Sequence, residues 1–228
     1  MEVALLQHLH QVDNVAHLHE YISEAGSTAL ILDRIRGPDL FEYVKVRQYL
    51  CEHEARRIFS QVIRIVADCH KNGVVHRDIK DENVLLDSSS GRATLTDFGC
   101  GAFLSGSDES YHRFLGMLYR PIVRRLRAVS MFLCFREGTR ELAPPEWITD
   151  NVYKPESSTV WQLGTLLYSM VDGDIPFESD REILESTLVW HRVYSRRCRD
   201  LIARCMEKNP QARPSLAQIE SDVWVVGK

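Results

Sequence analysis

The stretch HRDIKDEN, from His76 to Asn83, decides how the rest of this chain is read. It follows the apolar pair Val74–Val75 and runs into NVLLD (83–87), a short strand-like segment. A second such segment, ATLTD (93–97), precedes Phe98 and Gly99, and the turn-rich SSSGR (88–92) joins the two. Asp78, Asn83 and Asp97 all lie at or beside the ends of these apolar runs. Folding the two segments as a hairpin would bring their three polar side chains to one rim.

The bulk composition sets the frame around that rim. With 228 residues, 44% hydrophobic and 26% charged, the chain can build one large domain or two small lobes with proper cores. A net charge of −4 argues against nucleic acid as a partner, since phosphate binding needs a dominant Lys/Arg surface. No apolar run approaches the roughly 20 residues that cross a bilayer, so no transmembrane segment is expected. The N-terminal MEVALLQHLH has no basic region ahead of its apolar residues and does not read as a signal peptide. The six cysteines (51, 69, 100, 134, 198, 205) form no CxxC pair, which points to reduced thiols and a cytoplasmic location, with the nucleus also open. Cys100, directly after DFG, reads either as a reactive thiol or as a small buried filler. His8/His10 and His17/His19 could share a face only on a strand, and no neighbouring Cys or carboxylate in sequence completes a metal site.

Periodicity supplies the elements. Residues 15–22 and 28–32 read as two short strands separated by EAGS. RGPDL (36–40) breaks the pattern before a helical DLFEYVKV (39–46). The clearest helix runs from about Glu52 to Asn72: Ala55, Ile58, Phe59, Val62, Ile65, Val66 and Cys69 keep three- and four-residue spacing. Glu52 and Glu54 suit its first turn and Gly73 its end. STVWQLGTLLYSMV (158–171) predicts a deeply buried helix, with REILESTLVW (181–190) and RRCRDLIARCME (196–207) as further helices. A last short helix enters through Pro214 and Ser215.

Phosphoryl transfer from ATP needs a carboxylate to orient the attacking hydroxyl and oxygen ligands for the Mg²⁺ ions on the triphosphate. Asp78 fits the base, Asn83 and Asp97 the metal ligands, and Lys80 a cation beside the transferred phosphate. The ordered set H-R-D-x-K-x-x-N, DFG, P-P-E and a later Arg resembles the protein kinase superfamily. HRDIKDEN, DFGCGA (97–102), PPEW (144–147), VWQLGTLLYSMV (160–171) and GDIPFE (173–178) are similar to the Pim serine/threonine kinases in particular. Most kinases carry an Asp before the Val-Trp of the buried helix, where it ties down the HRD backbone. Thr159 stands there, and the Pim kinases also lack the Asp.

The resemblance implies an α+β, kinase-like fold spanning 1–228, mostly a helical C-lobe (39–228). A small-lobe remnant of a helix and two strands (1–32) and a hinge (33–38) would precede it. It places Leu32 at the gatekeeper position, Asp33, Arg34 and Ile35 in the hinge, and Leu85 under the adenine. Ile35 occupies the place of the Pim hinge proline and keeps its N–H as a donor. His76 and Arg77 belong to the structural frame of the loop, and Glu146 and Arg213 fit the ion pair that anchors the activation segment. Lys80 and GTRELAPPEW around Thr139 resemble the Ser/Thr branch. Asp39, Glu42, Glu82 and Asp174 match positions that face basic substrate residues, implying protein substrates rich in arginine around the target Ser/Thr. ATP and Mg²⁺ are the implied cofactors, and a monomer is expected.

Two features depart from the pattern. The sequence contains no G-x-G-x-x-G-x-V loop and no VAIK lysine, although Glu2 matches the helix glutamate that pairs with that lysine. Either the chain is an incomplete gene model of a working kinase, or it is a kinase-fold binding module with weak or no catalysis. Residues 115–136 interrupt the activation segment with five arginines and no acids. This insert reads as a basic amphipathic element, a flexible insertion or translated non-coding sequence, and Pro121 disfavours the first.

Overall fold

The computed structural model describes residues 1–24, 27–104 and 142–227. The chain opens with α1 (Glu2–His8), β1 (Leu18–Glu24) and β2 (Ser27–Leu32), followed by α2 (Leu40–Arg47) and α3 (Glu52–Lys71). Short strands β3 (Val74–Val75), β4 (Val84–Leu86), β5 (Ala93–Leu95) and β6 (Ala102–Phe103) come next. The rest is helical: α4 (Pro145–Asp150), α5 (Pro155–Asp172), α6 (Asp180–Glu185), α7 (Arg196–Cys205) and α8 (Leu216–Glu220).

The periodic apolar residues of α3 form one buried face, including every position the spacing singled out. Asn72 caps the helix and Gly73 follows at φ +71°, the left-handed stop that glycine allows. That face packs on α5, which is buried from Ser158 through Asp172. Each Val, Leu, Ile or Phe buried in this α3–α5 seam contributes about 1.5–3 kcal/mol to the body. Trp161, Tyr168, Phe59 and Trp224 fill the same core.

β4 and β5 form the expected antiparallel hairpin, with Val84 opposite Leu95 and Leu86 opposite Ala93. β3 pairs with β6, so the loop after Val75 and the one before Ala102 are held side by side. The chain ahead of β1 does not join the β1–β2 ladder as the strand expected over 15–22 would have it. Leu95 N–H donates to Asn14 C=O at 2.8 Å and Ala16 N–H to Leu95 C=O at 3.0 Å, so residues 14–16 dock on β5 instead. β1 and β2 form a two-stranded antiparallel ribbon whose Tyr21, Ile22 and Ile31 are close to half exposed.

One expected helix is shorter than its sequence pattern. REILESTLVW is helical only to Glu185, and Ser186 turns extended at φ −84°, ψ 154°. Asp172, buried at the end of α5, draws the following segment to itself. It accepts from His191 N–H at 3.3 Å and from Tyr194 Oη–H, while Tyr168 Oη–H donates to Val189 C=O at 2.7 Å. Tertiary hydrogen bonding overrides helix propensity there. No helix among the described residues is long and apolar enough to cross a membrane.

Candidate active site

The loop that follows β3 is fixed from several directions. Arg77 has φ +67°, a left-handed conformation that costs of order 1–3 kcal/mol for a non-glycine and persists only where the surroundings over-determine it. Its Nε donates to Cys100 C=O at 2.5 Å and its Nη2 to Gly101 C=O at 3.1 Å, tying the loop to the segment after DFG. His76 Nδ1 accepts from Asp78 N–H at 3.2 Å, which leaves Nε2–H to donate to Thr96 C=O at 2.9 Å. His76 is therefore the neutral Nε2–H tautomer, and burial holds its pKa below the ordinary imidazole value. Phe98 meets the same ring edge-on at 4.6 Å.

Asp78 lies buried at the centre. Its Oδ2 accepts from Asn83 Nδ2 at 3.1 Å and pairs with Lys80 Nζ at 3.2 Å. Its Oδ1 is buried with no hydrogen-bond partner among the described residues. Asn83 ends the 3₁₀ turn Asp81–Asn83, and its Nδ2 also donates to Asp78 C=O at 2.8 Å. Lys80 bridges onward to Glu82 Oε2 at 3.1 Å. Burial alone would lower the Lys80 pKa, but the charges of Asp78 and Glu82 outweigh it and raise the pKa. Asp81, half-buried below them, is pushed up to about 6 by burial and by the neighbouring Glu82.

Asp97 reaches the same rim from β5. At φ +61° it turns the chain sharply, and its Oδ1 accepts from Gly99 N–H at 3.2 Å. Thr96 N–H donates to Asn83 C=O at 3.0 Å, so the hairpin carries Asn83 and Asp97 to neighbouring ends of β4 and β5, as the sequence predicts. Glu2 on α1 also faces this corner. Its pKa is raised first by burial and then by the charge of Asp97.

The segment expected as the hinge begins where β2 ends. Leu32 pairs with Leu18 at the end of the ribbon, and Asp33 N–H donates to His17 C=O at 3.0 Å. The Asp33 carboxylate is gripped by His17 Nδ1 at 3.0 Å and His19 Nε2 at 2.7 Å. The sequence thus missed the carboxylate that joins these two histidines, because it comes from another strand's end. Among the described residues no three such groups sit in a metal-holding geometry. Ile35 and Leu85 are half-buried. Between them Gly37 is obligatory, since a Cβ there would lie 1.9 Å from Leu86 C=O.

Of the acids singled out as substrate contacts, Asp39 caps α2 by accepting from Glu42 N–H at 2.7 Å. Glu42 pairs with Lys45 at 3.4 Å and Glu82 with Lys80, while the exposed Asp174 accepts from Ile175 N–H at 2.8 Å. Glu146 and Arg213 form a bidentate pair at 2.8 and 2.7 Å, with Arg213 also donating to Ser157 C=O at 3.0 Å and Glu207 C=O at 2.8 Å. Thr139 and the 115–136 insert lie outside the described residues. Cys100 is buried. Sequence reasoning overlooked Gln162, whose side chain reaches this loop; a polar residue inside the apolar run VWQLGTLL was the available signal.

The comparison with protein families falls on this architecture. A model of the protein kinase domain matches residues 1–225. The chain belongs to the protein kinase domain family. This kinase domain is 43% identical over 188 residues to serine/threonine-protein kinase pim-2 of Danio rerio, covering 82% of the chain and 53% of that protein. It is 30% identical over 230 residues to serine/threonine-protein kinase prk-2 of Caenorhabditis elegans, covering 99% of the chain and 47% of the relative. CBL-interacting protein kinase 31 of rice is 31% identical over 92% of the chain and 44% of its own length. The kinase domain thus spans about half the length of the curated relatives it matches. Family members use ATP with a divalent cation, and an anionic, partly unpartnered donor set at Asp78, Asn83 and Asp97 fits that requirement.

Proposed function

We propose that this chain is the catalytic part of a Pim-like serine/threonine protein kinase. The observation that carries the proposal is the Asp78 carboxylate: Oδ2 is held by Asn83 and Lys80, and Oδ1 is buried and free to accept a proton. ATP bound with Mg²⁺ supplies the phosphoryl group and offsets its charge. Asp78 orients the protein hydroxyl and takes its proton as the oxygen bonds to phosphorus and ADP departs. Asn83 and Asp97 would hold the metal, which would offset charge on the phosphates. Lys80, kept cationic by Asp78 and Glu82, neutralises charge developing on the transferred group. Leu32, Asp33 and Ile35 frame the adenine from the hinge and Leu85 from below, and residues 1–32 and 39–228 act as the two lobes around it.

Asp39, Glu42, Glu82 and Asp174 form the acidic rim that prefers arginine-rich protein substrates, because their negative charge complements guanidinium groups. A binding module without turnover is the second reading. What favours it is Glu2, whose carboxyl is pushed above its ordinary range by burial and by the charge of Asp97.

The test is to incubate the chain with ATP, Mg²⁺ and serine peptides with and without arginines upstream of the serine. Phosphoserine that accumulates faster with the arginines is the expected product. Equal rates on both peptides would remove the substrate preference. No Mg·ATP thermal shift, together with no phosphopeptide, would argue for the binding module instead.

A further inference from the structure

Gln162 stands in the middle of α5 with no solvent exposure, between Trp161 and Leu163. Its amide leaves the helix and spans the catalytic loop. Oε1 accepts from Ile79 N–H at 3.2 Å, and Nε2 donates to Arg77 C=O at 2.8 Å. The partners dictate this orientation, because a flipped amide would set oxygen against carbonyl and N–H against N–H. The two backbone groups belong to the residues on either side of Asp78. One rigid, planar side chain therefore fixes the peptide that enters Asp78 and the peptide that leaves it. Arg77 itself sits at φ +67°, so its carbonyl needs an outside partner to stay in place. Thr159, three residues earlier, makes neither contact: its Oγ1 donates to Pro155 C=O at 2.9 Å and lies 3.3 Å from His70 Nε2.

We propose that Gln162 is a positioning residue for Asp78, acting through the backbone of Arg77 and Ile79. The proposal rests on the phosphoryl-transfer reading of Asp78 given above. Loss of Gln162 removes the hydrogen bonds it makes to a buried carbonyl and a buried N–H and frees the loop to relax. A displacement of the base by about 1 Å is enough to slow a positioned reaction about 100-fold.

Two variants of the full chain test it. Gln162→Leu keeps the approximate volume and removes both bonds. Gln162→Glu is conditional: protonated, it offers an O–H to Arg77 C=O and an oxygen to Ile79 N–H, whereas ionised it sets an oxygen against the carbonyl. Burial raises the pKa of such a carboxyl, placing the change in an accessible pH range. The readouts are hydrogen exchange at the Ile79 amide, and kcat and peptide KM across pH, each as a ratio to wild type.

For Gln162→Leu, Ile79 exchange is expected to quicken about 5- to 10-fold, the scale of one hydrogen bond. Its kcat should fall about 10- to 100-fold, with peptide KM within about twofold. For Gln162→Glu both ratios should approach wild type at low pH and diverge as pH rises. That pH dependence decides the matter even if Gln162→Leu fails to fold. Ratios for Gln162→Glu that are flat and near one across pH, with turnover intact, would overturn the proposal. A wild-type chain without turnover would overturn the reading beneath it and with it any catalytic role, while the Ile79 exchange ratios still decide whether Gln162 holds the loop.

Discussion

Asp81 follows Lys80 directly in the chain, and at neutral pH its ionised carboxylate costs the loop stability. Burial and Glu82 raise its pKa to about 6, above an unfolded value near 3.8. The folded state therefore binds a proton more tightly than the unfolded state does, and ionised Asp81 destabilises the fold above pH 6. Asp81→Asn is expected to raise stability at pH 7 by on the order of 1–3 kcal/mol. The gain should fade as pH falls from about 6 toward about 4. Urea unfolding of both proteins at pH 7 and pH 4.5 checks the sign, and equal stability at pH 7 would refute it. At this scale the sequence was informative about identity and silent about neighbours. Asp78, Lys80, Asn83 and Asp97 were legible because their spacing is local to one loop and one hairpin. The Asp33 grip on His17 and His19, and the reach of Gln162 across 83 residues to Ile79, depend on packing that no short motif encodes.

Helices show the same division between local and distant causes. The α3 register and the Ser215 capping box of α8, closed by Gln218, follow from residues three or four apart. The early end of α6 does not, because Asp172, Tyr168 and Tyr194 impose it from other elements. The link from α4 to the chain ahead of α8 is likewise tertiary. Arg213 and Glu146 are nearly buried, with side-chain exposures of 1% and 10%, and meet through two parallel bonds. Removing one partner of such a pair strands a buried charge. Glu146→Ala is expected to cost about 3–5 kcal/mol. Thermal unfolding reads this directly. Adding Arg213→Met should recover a large part of the loss, and a double variant as unstable as the single would show that the pair is not what anchors this junction.

Across the whole molecule, His70 and His76 weaken the fold as the solution turns acid. Burial holds the pKa of His70 and of His76 below the ordinary value. The unfolded chain thus takes up protons near pH 6.5 that the folded chain refuses. Stability contributed by these groups is present above about pH 6.5 and is lost as pH falls through that value toward their folded pKa values. Asp81 acts in the opposite sense over part of this window, so the Asp81→Asn protein is the right background. Its melting temperature should fall between pH 7 and pH 5.5, and His70→Gln should reduce the fall. A melting temperature independent of pH over that range would contradict the burial argument.

The fold and its rim of polar side chains converge on one claim, that Asp78 is the base of a phosphoryl-transfer site. The most direct measurement is transfer of the labelled γ-phosphate of ATP to a serine peptide by wild type and by Asp78→Asn, at saturating Mg²⁺. An Asn keeps the size of the side chain and the contact with Asn83, but it cannot take a proton. A loss in kcat of about 10²- to 10⁴-fold with peptide KM little changed is the expected result. Equal turnover by the two proteins, or no transfer by wild type under any condition, would contradict it.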